Sequence, residues 1–168
     1  MLEVLKTRRS IRKYQPEQVS DAHLDAVLEA GIYAPSAMNN QKTVLVAVRD
    51  KQTRDKLSRM NAAVMGTTGD PFYGAPCVIV VLADPEKGTW LEDGSLVMGN
   101  LMNAAEALGL GSCWIHRAQP MFDSPEGKQL LKEWGLPETM KGVANCILGY
   151  PAEKPAPKPR AEGRIVKV

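Results

Sequence analysis

Residues 76 to 84 read PCVIVVLAD, and from Cys77 to Ala83 there is no polar side chain. The β-branched content predicts a strand. A strand with two apolar faces has to be covered on both of them. The rest of the chain must therefore supply two layers of cover, and its sequence offers the helices to do so.

SDAHLDAVLEAGIYAP (20–35) has the pattern of an amphipathic helix, with Ser20 as its N-cap, Leu24, Val27 and Leu28 on one stripe, and Gly31 and Pro35 near its end. A shorter helix is expected over residues 2 to 9, with Leu2 and Leu5 facing inward. Residues 51 to 65 have helical spacing at Leu57, Met60 and Val64. From Leu91 to Leu108 runs a long helix whose Met, Ala and Gly residues would let another helix approach closely. Ser124, Pro125 and the Leu130-Leu131-Trp134-Gly135 run mark one more, with Pro at its first turn and Gly at its end. Three further strands are expected at 43–50, 112–116 and 142–150, and GTTGDPFYG reads as a loop. Helices and strands alternate as in a mixed α/β or α+β domain.

At 168 residues the chain is expected to be one domain, residues 1–168, of ordinary globular composition. No apolar run approaches the ~18 residues needed to cross a bilayer. MLEVLKTRRS lacks the apolar core of a secretory signal. Cys77, Cys113 and Cys146 are isolated and sit in apolar runs, so they read as small buried hydrophobes in a reducing cytoplasm, not as a disulfide framework or a zinc site.

Beyond Tyr150 the character changes. PAEKPAPKPR holds four prolines in ten residues, which favours an extended arm (151–168) that cannot bury itself. Docking on a partner subunit is the economical outcome for such a segment.

The second singular feature is KTRRSIRKY (6–14), five cations in nine residues of a chain whose formal net charge is only +2. In an extended backbone Arg8, Ser10 and Arg12 form one row. In a helix Arg8 and Arg12 still share a face. Either arrangement repels itself unless an anion sits among the guanidiniums, and Arg binds phosphate bidentately. The bland alternative is a solvated helix end, where cations suit the negative dipole terminus. Charge pattern alone does not choose between them. An RNA-binding module is disfavoured, because aromatics make up 5% of the chain and none falls between Lys6 and Lys13.

APSAMNNQ (34–41) can be a turn held by its own Asn and Ser side chains, or a loop whose amides read a heterocycle edge. Gly109-Leu110-Gly111 closes a helix and opens a strand, the reverse of a dinucleotide glycine loop, so these glycines are expected to permit a helix C-cap and a close backbone approach to something flat. His23 is expected on the surface. His116 and Cys113 would point to opposite sides of a strand, which argues against a Cys/His nucleophile pair. Motifs for zinc hydrolysis, serine hydrolysis and two-carboxylate chemistry are missing.

Taken in order, RRSIRKY, APSAMNNQ, FYGAPCVIVV, the helix running into ALGLGSCWI, and LGYPAEKPAPKPR resemble the nitroreductase family of FMN-dependent NAD(P)H oxidoreductases. The match extends over nearly the whole chain. It implies an α+β fold, a three-layer α/β/α arrangement with a central mixed, mostly antiparallel sheet, and a C-terminal arm exchanged across a homodimer. It further implies that Arg8, Ser10 and Arg12, with Arg9, hold the FMN phosphate, and that Lys158 and Arg160 close on the same group. Pro35, Ser36 and Ala37 would flank the isoalloxazine ring from the other subunit, with Asn39 and Gln41 close by. Ile115, His116 and Arg117 would lie near the reactive edge of the flavin. Hydride would pass in ping-pong fashion from NAD(P)H to an oxidised organic acceptor, a nitroaromatic, a quinone or similar, with His116 a candidate proton donor. No nucleic acid or membrane partner is implied. Lys42 and Thr43 stand where the family often has Pro and an aromatic, a departure that bears on ring stacking and substrate shape at that edge; the chain is also shorter than many members, so a reduced flavin-covering insertion and a more open pocket are expected. The competing reading is a flavin- or nucleotide-binding protein without turnover.

Overall fold

A computed structural model describes residues 2–86 and 88–168. Its centre is a four-stranded sheet of β1 (Thr43–Val48), β2 (Cys77–Ala83), β3 (Gly111–Ile115) and β4 (Lys141–Gly149), in the order β1-β2-β4-β3. All three pairings are antiparallel. The apolar β2 lies inside the sheet, and each of its seven residues is buried. Its alternate side chains enter two separate cores. Val78, Val80 and Leu82 meet Leu57, Phe72, Phe122 and Leu131 on one face, whereas Cys77, Ile79 and Val81 meet Val27, Met98 and Leu101 on the other. The strand without a polar face is covered twice, as its composition demands.

The helices are α1 (Leu2–Thr7), α2 (Asp21–Ile32), α3 (Lys51–Met65), α4 (Trp90–Ala107), α5 (Ala118–Asp123) and α6 (Pro125–Glu133). Ser20, Asp50 and Ser124 cap α2, α3 and α6 by accepting from the backbone N–H three residues on. Small residues permit close packing. A Cβ on Gly31 of α2 would lie 2.7 Å from Leu101 of α4, and one on Gly94 of α4 would lie 2.5 Å from Val143 of β4. Gly109 ends the α4 segment at φ +73°, as a C-cap glycine should. Gly111 packs closely against the chain itself. Its missing Cβ makes room for Ile11, which would stand 2.9 Å away.

That contact fixes the N-terminal segment. Ser10 bridges Ser112 in parallel, and the Ile11 N–H donates to Ser112 O at 3.0 Å. This bridge is the sole parallel link among the described residues, the trace of the expected mixed sheet. Further on, Tyr14 bridges Pro151 antiparallel, Gln15 N–H donates to Tyr150 O at 2.9 Å, and Ala152 N–H donates to Lys13 O at 2.9 Å. The root of the C-terminal arm is thus laced to residues 13–15 of its own chain.

Three expectations need correction. Leu2 and Leu5 of α1 do not face inward; they are 70% and 51% exposed, because α1 packs on α4 by its other side. In α3 the buried stripe runs through Leu57, Met60 and Asn61, leaving Val64 outside. The short α5 is too brief for its period to be read, and Pro120 conceals it. That proline sits in the first turn, where an N–H has no intrahelical partner to lose.

Candidate functional site

The two basic stretches, one from each end of the chain, line a single cleft of about 320 Å³. Its walls are Arg8, Arg9, Ser10, Arg12, Pro155, Ala156, Lys158 and Arg160. The lacing of residues 13–15 to 150–152 brings the arm back over the Arg8–Arg12 row. The Arg12 N–H adds a bond to Glu153 Oε1 at 2.5 Å.

The cations in this cleft differ in what already engages them. Arg9 Nη1 donates to the carbonyls of Lys6, Thr7 and Arg8 at 2.7, 2.9 and 2.8 Å, closing the C-terminal end of α1. For Arg9 the helix-end reading of the charge knot therefore holds. Arg8 is different: its Nη1 is buried and has no hydrogen-bond partner among the described residues. A buried cationic donor left unsatisfied is costly, and an anion in the cleft would relieve it.

Arg12 also lines a second cleft, of about 360 Å³, with Thr67, Gly69, Asp70, Pro71 and Tyr73 on one side and Cys113 through Arg117 on the other. Its guanidinium lies 5.9 Å from the Tyr73 ring centroid, a cation–π contact. The two basins thus meet at one residue. Cys113 is buried while His116, three residues on, is exposed.

The first wall of this cleft is organised by Asp70, whose carboxylate accepts from Arg54 Nη2 (2.6 Å), Ser58 Oγ (2.5 Å), Phe72 N–H (2.9 Å) and Gly74 N–H (2.7 Å). Burial opposes its ionisation, but these donors outweigh burial and hold its pKa below the ordinary carboxylate value. The second wall is held by Asn61, fully buried in α3. Its Nδ2 donates to His116 O at 2.7 Å, and its Oδ1 accepts from Arg117 Nε at 3.2 Å. Arg117 itself is left-handed, at φ +75°.

Pro35, Ser36, Ala37, Asn39 and Gln41 line neither cleft. Their loop is nonetheless unusually built. Ala37–Asn39 form one turn of 3₁₀ helix, and Met38, Asn39 and Gln41 all have φ between +52° and +53°. Such values strain residues that carry a Cβ. The loop is tied down by buried Asp93, which accepts from Ala37 N–H and Asn40 Nδ2 at 2.9 Å each, and from Thr89 Oγ1 at 3.3 Å. Burial works against the Asp93 charge, but these bonds bring its pKa below the usual value. Met38 projects outward, 97% exposed.

Comparison with known proteins decides what this arrangement belongs to. The profile of the Nitroreductase family matches residues 5–150. The chain belongs to the nitroreductase family.

Among nitroreductase-family relatives, a Methanothermobacter thermautotrophicus protein provisionally named NADH dehydrogenase/NAD(P)H nitroreductase is 35% identical, over 92% of this chain and 79% of that protein. The FMN reductase [NAD(P)H] of Bacillus subtilis is 29% identical, over 95% of this chain and 70% of its own length. A nitroreductase crystal structure from Bacteroides fragilis, with FMN bound, superposes with a TM-score of 0.89 at 32% identity and covers 99% of this chain and 97% of that one. The nitroreductase fold, with its antiparallel centre and helical layers, is the fold described above.

Against this nitroreductase frame, three polar anchors escape a reading of the sequence: Asn61, Asp70 and Asp93. Asn61 carried a usable signal, an amide one position past Met60 on the apolar stripe of α3. His23 is a correction of another kind. It is half-buried, its Nδ1 has no partner among the described residues, and its ring meets Tyr150 edge-on at 6.4 Å. Tyr150, just past β4, packs against the side of the helix on which His23 was expected to be free.

Proposed function

We propose that this chain is an NAD(P)H-dependent FMN oxidoreductase, passing hydride to an oxidised organic acceptor such as a nitroaromatic or a quinone in a ping-pong cycle. One observation carries the reading: Arg8, Ser10, Arg12, Lys158 and Arg160 converge on one cleft in which a buried Arg8 nitrogen has no hydrogen-bond partner among the described residues.

The residues present fit FMN. A phosphate dianion leaving water needs several charge-assisted donors, and the cleft supplies four cations beside Arg9, with the Ser10 hydroxyl among them. Arg8, Ser10, Arg12, Lys158 and Arg160 hold the phosphate, with Arg9 contributing charge. Arg12, shared by both clefts, links that grip to the larger basin lined by Ile115, His116 and Arg117, which takes the ring. Once bound, FMN supplies the hydride-carrying atom that no side chain here can offer.

The chain's own groups bind, orient and polarise. Asp70 and Asn61 fix the two walls of the basin. His116 lines this basin and is exposed, which supports a role as the proton donor to the reduced acceptor. The strained loop of Pro35, Ser36, Ala37, Asn39 and Gln41 serves the site of a second copy, which agrees with its lining neither of the two clefts of its own chain. Exposed Leu2, Leu5, Ile32, Tyr33, Leu91 and Leu96 support a homodimer. Three buried free cysteines suit a reducing compartment such as the cytoplasm. Among the described residues, no helix is long and apolar enough to cross a membrane.

The test is the visible spectrum of the purified protein, followed by anaerobic mixing with NADH or NADPH. Bound flavin that bleaches, and recovers its colour when a quinone is added, is the expected result. Flavin that binds but never bleaches would leave a carrier without turnover, and a colourless protein indifferent to added FMN would overturn the assignment.

A further inference from the structure

The second cleft contains a linkage that the family assignment does not explain. Asn61 sits in the middle of α3, with no solvent exposure, on a helix face otherwise given to Leu57 and Met60. A buried amide at such a position is unfavourable unless every polar atom is used. Here it is used. Nδ2 donates to the His116 carbonyl at 2.7 Å and approaches Met121 Sδ at 3.2 Å, while Oδ1 accepts from Arg117 Nε at 3.2 Å. A single side chain therefore holds both the backbone and the guanidinium of a turn that is itself left-handed at φ +75°.

The consequence concerns direction. Guanidinium is a planar fork, so fixing Nε leaves the outer Nη edge pointing away from the anchor. Neither Nη atom of Arg117 makes a hydrogen bond or ion pair among the described residues, and the side chain lines the 360 Å³ cleft with Arg12 and His116. The one carboxylate in that lining among the described residues, Asp70, is already occupied by Arg54, Ser58 and two backbone donors. Arg117 thus presents an uncompensated positive edge to the basin.

We propose that Asn61 is a positioning residue that aims Arg117 into the ring basin, so that the Arg117 charge favours the electron-rich form of whatever aromatic ring is held there. The inference rests on the FMN reading above. A preorganised cation near developing negative charge acts strongly in a cleft partly screened from water. A turn held only for folding would have no need to fix the guanidinium as well.

The experiment measures FMN affinity and midpoint potential in the holo-protein for wild type, Arg117→Gln, Asn61→Ala and the double variant. Arg117→Gln keeps the Asn61–His116 bond and removes the charge. It is expected to bind oxidised FMN within about threefold of wild type and to move the potential to a more negative value. The expected size is a tenfold change in the ratio of affinities for oxidised and reduced flavin, about 30 mV for a two-electron couple. Asn61→Ala should move the potential in the same direction, and the double variant should move it no further than the larger single change, because the two residues act as one unit. If Asn61→Ala does not fold, Arg117→Gln still decides the matter. An unmoved potential in Arg117→Gln overturns the proposal, as do fully additive shifts. A wild-type chain that takes up no FMN overturns the reading of the site itself, a different result from flavin that binds with an unchanged potential.

Discussion

Asp93, in the first turn of α4, accepts the backbone N–H of Ala37 at 2.9 Å across 56 residues of sequence. The same carboxylate takes Asn40 Nδ2, while Asn40 Oδ1 accepts the Lys42 N–H at 3.0 Å. Asn40 therefore cannot turn its amide over without losing a bond. In Asp93→Asn the new amide would oppose Asn40 with a second donor, and the strained turn at Met38 and Asn39 would lose its anchor. We expect a loss of about 1–2 kcal/mol at pH 7. Because the Asp93 pKa is depressed in the folded chain, its contribution is full above the unfolded carboxylate value near 4 and disappears as pH falls through the folded one. Urea unfolding at pH 7 and pH 3 should show the gap between wild type and variant closing in acid. A gap independent of pH would refute the anchoring role.

Asp70 makes the same kind of claim for the wall of the ring basin. It binds two side chains from α3 and two backbone N–H groups of its own loop, and its folded pKa is likewise lowered. Its side chain is 37% exposed, so solvent screening weakens the ion pair with Arg54. Asp70→Asn should cost about 1–3 kcal/mol at neutral pH. Proteolytic nicking between Gly66 and Gly74 should rise by more than the global destabilisation accounts for. Equal protection of that loop in both proteins would count against it.

How far the sequence reaches is seen by comparing β2 with these two carboxylates. Seven apolar residues in a row leave one physical outcome, burial on both faces, and the helices around them carry local signals in Ser20, Asp50, Ser124 and Gly109. The convergence of Arg8 and Arg12 with Lys158 and Arg160 follows from charge logic joined to a family pattern. Asp70 and Asp93 carry no such signal. A carboxylate in a loop or a first helical turn is ordinary in composition, and its role depends on partners as far as 12 to 56 residues away as well as on local ones. Leu2 and Leu5 fail for the opposite reason: their pattern reads correctly as apolar, but nothing among the described residues covers them.

Gly111 tests whether the sheet edge sets the phosphate grip. A Cβ there would stand 2.9–3.0 Å from three atoms of Ile11, whose N–H is bonded to Ser112 O. Gly111→Ala should lift residues 10–12 from β3, costing about 1–3 kcal/mol as an overpacked contact does. It should also weaken FMN binding, since Ser10 and Arg12 flank Ile11. Combining it with Ile11→Ala removes the clash, so the pair should bind FMN better than Gly111→Ala alone. A double variant worse than the sum of its parts would show that the clash is not the cause.

Arg8, Arg9 and Arg160 separate the two roles that one knot of charge can play. Arg8 Nη1 has no partner among the described residues, and Arg160 lies exposed on the arm, so neither is engaged by the fold in the way Arg9 is. Losing one charge-assisted bond to phosphate is worth about 1.5–3 kcal/mol, so Arg8→Ala and Arg160→Ala should each raise the FMN Kd roughly 10- to 100-fold. Arg160→Ala should leave the melting temperature of the apo-protein where it was, and removing an arginine whose buried Nη1 has no partner among the described residues should leave Arg8→Ala no less stable. Arg9→Ala should do the reverse, losing about 1 kcal/mol with the cap on α1 and weakening FMN less than either of the others. Titration of apo-protein by flavin fluorescence quenching, beside thermal melts without flavin, reads both quantities. If all three variants lose flavin and stability in equal proportion, the knot is a structural helix end and the phosphate assignment fails.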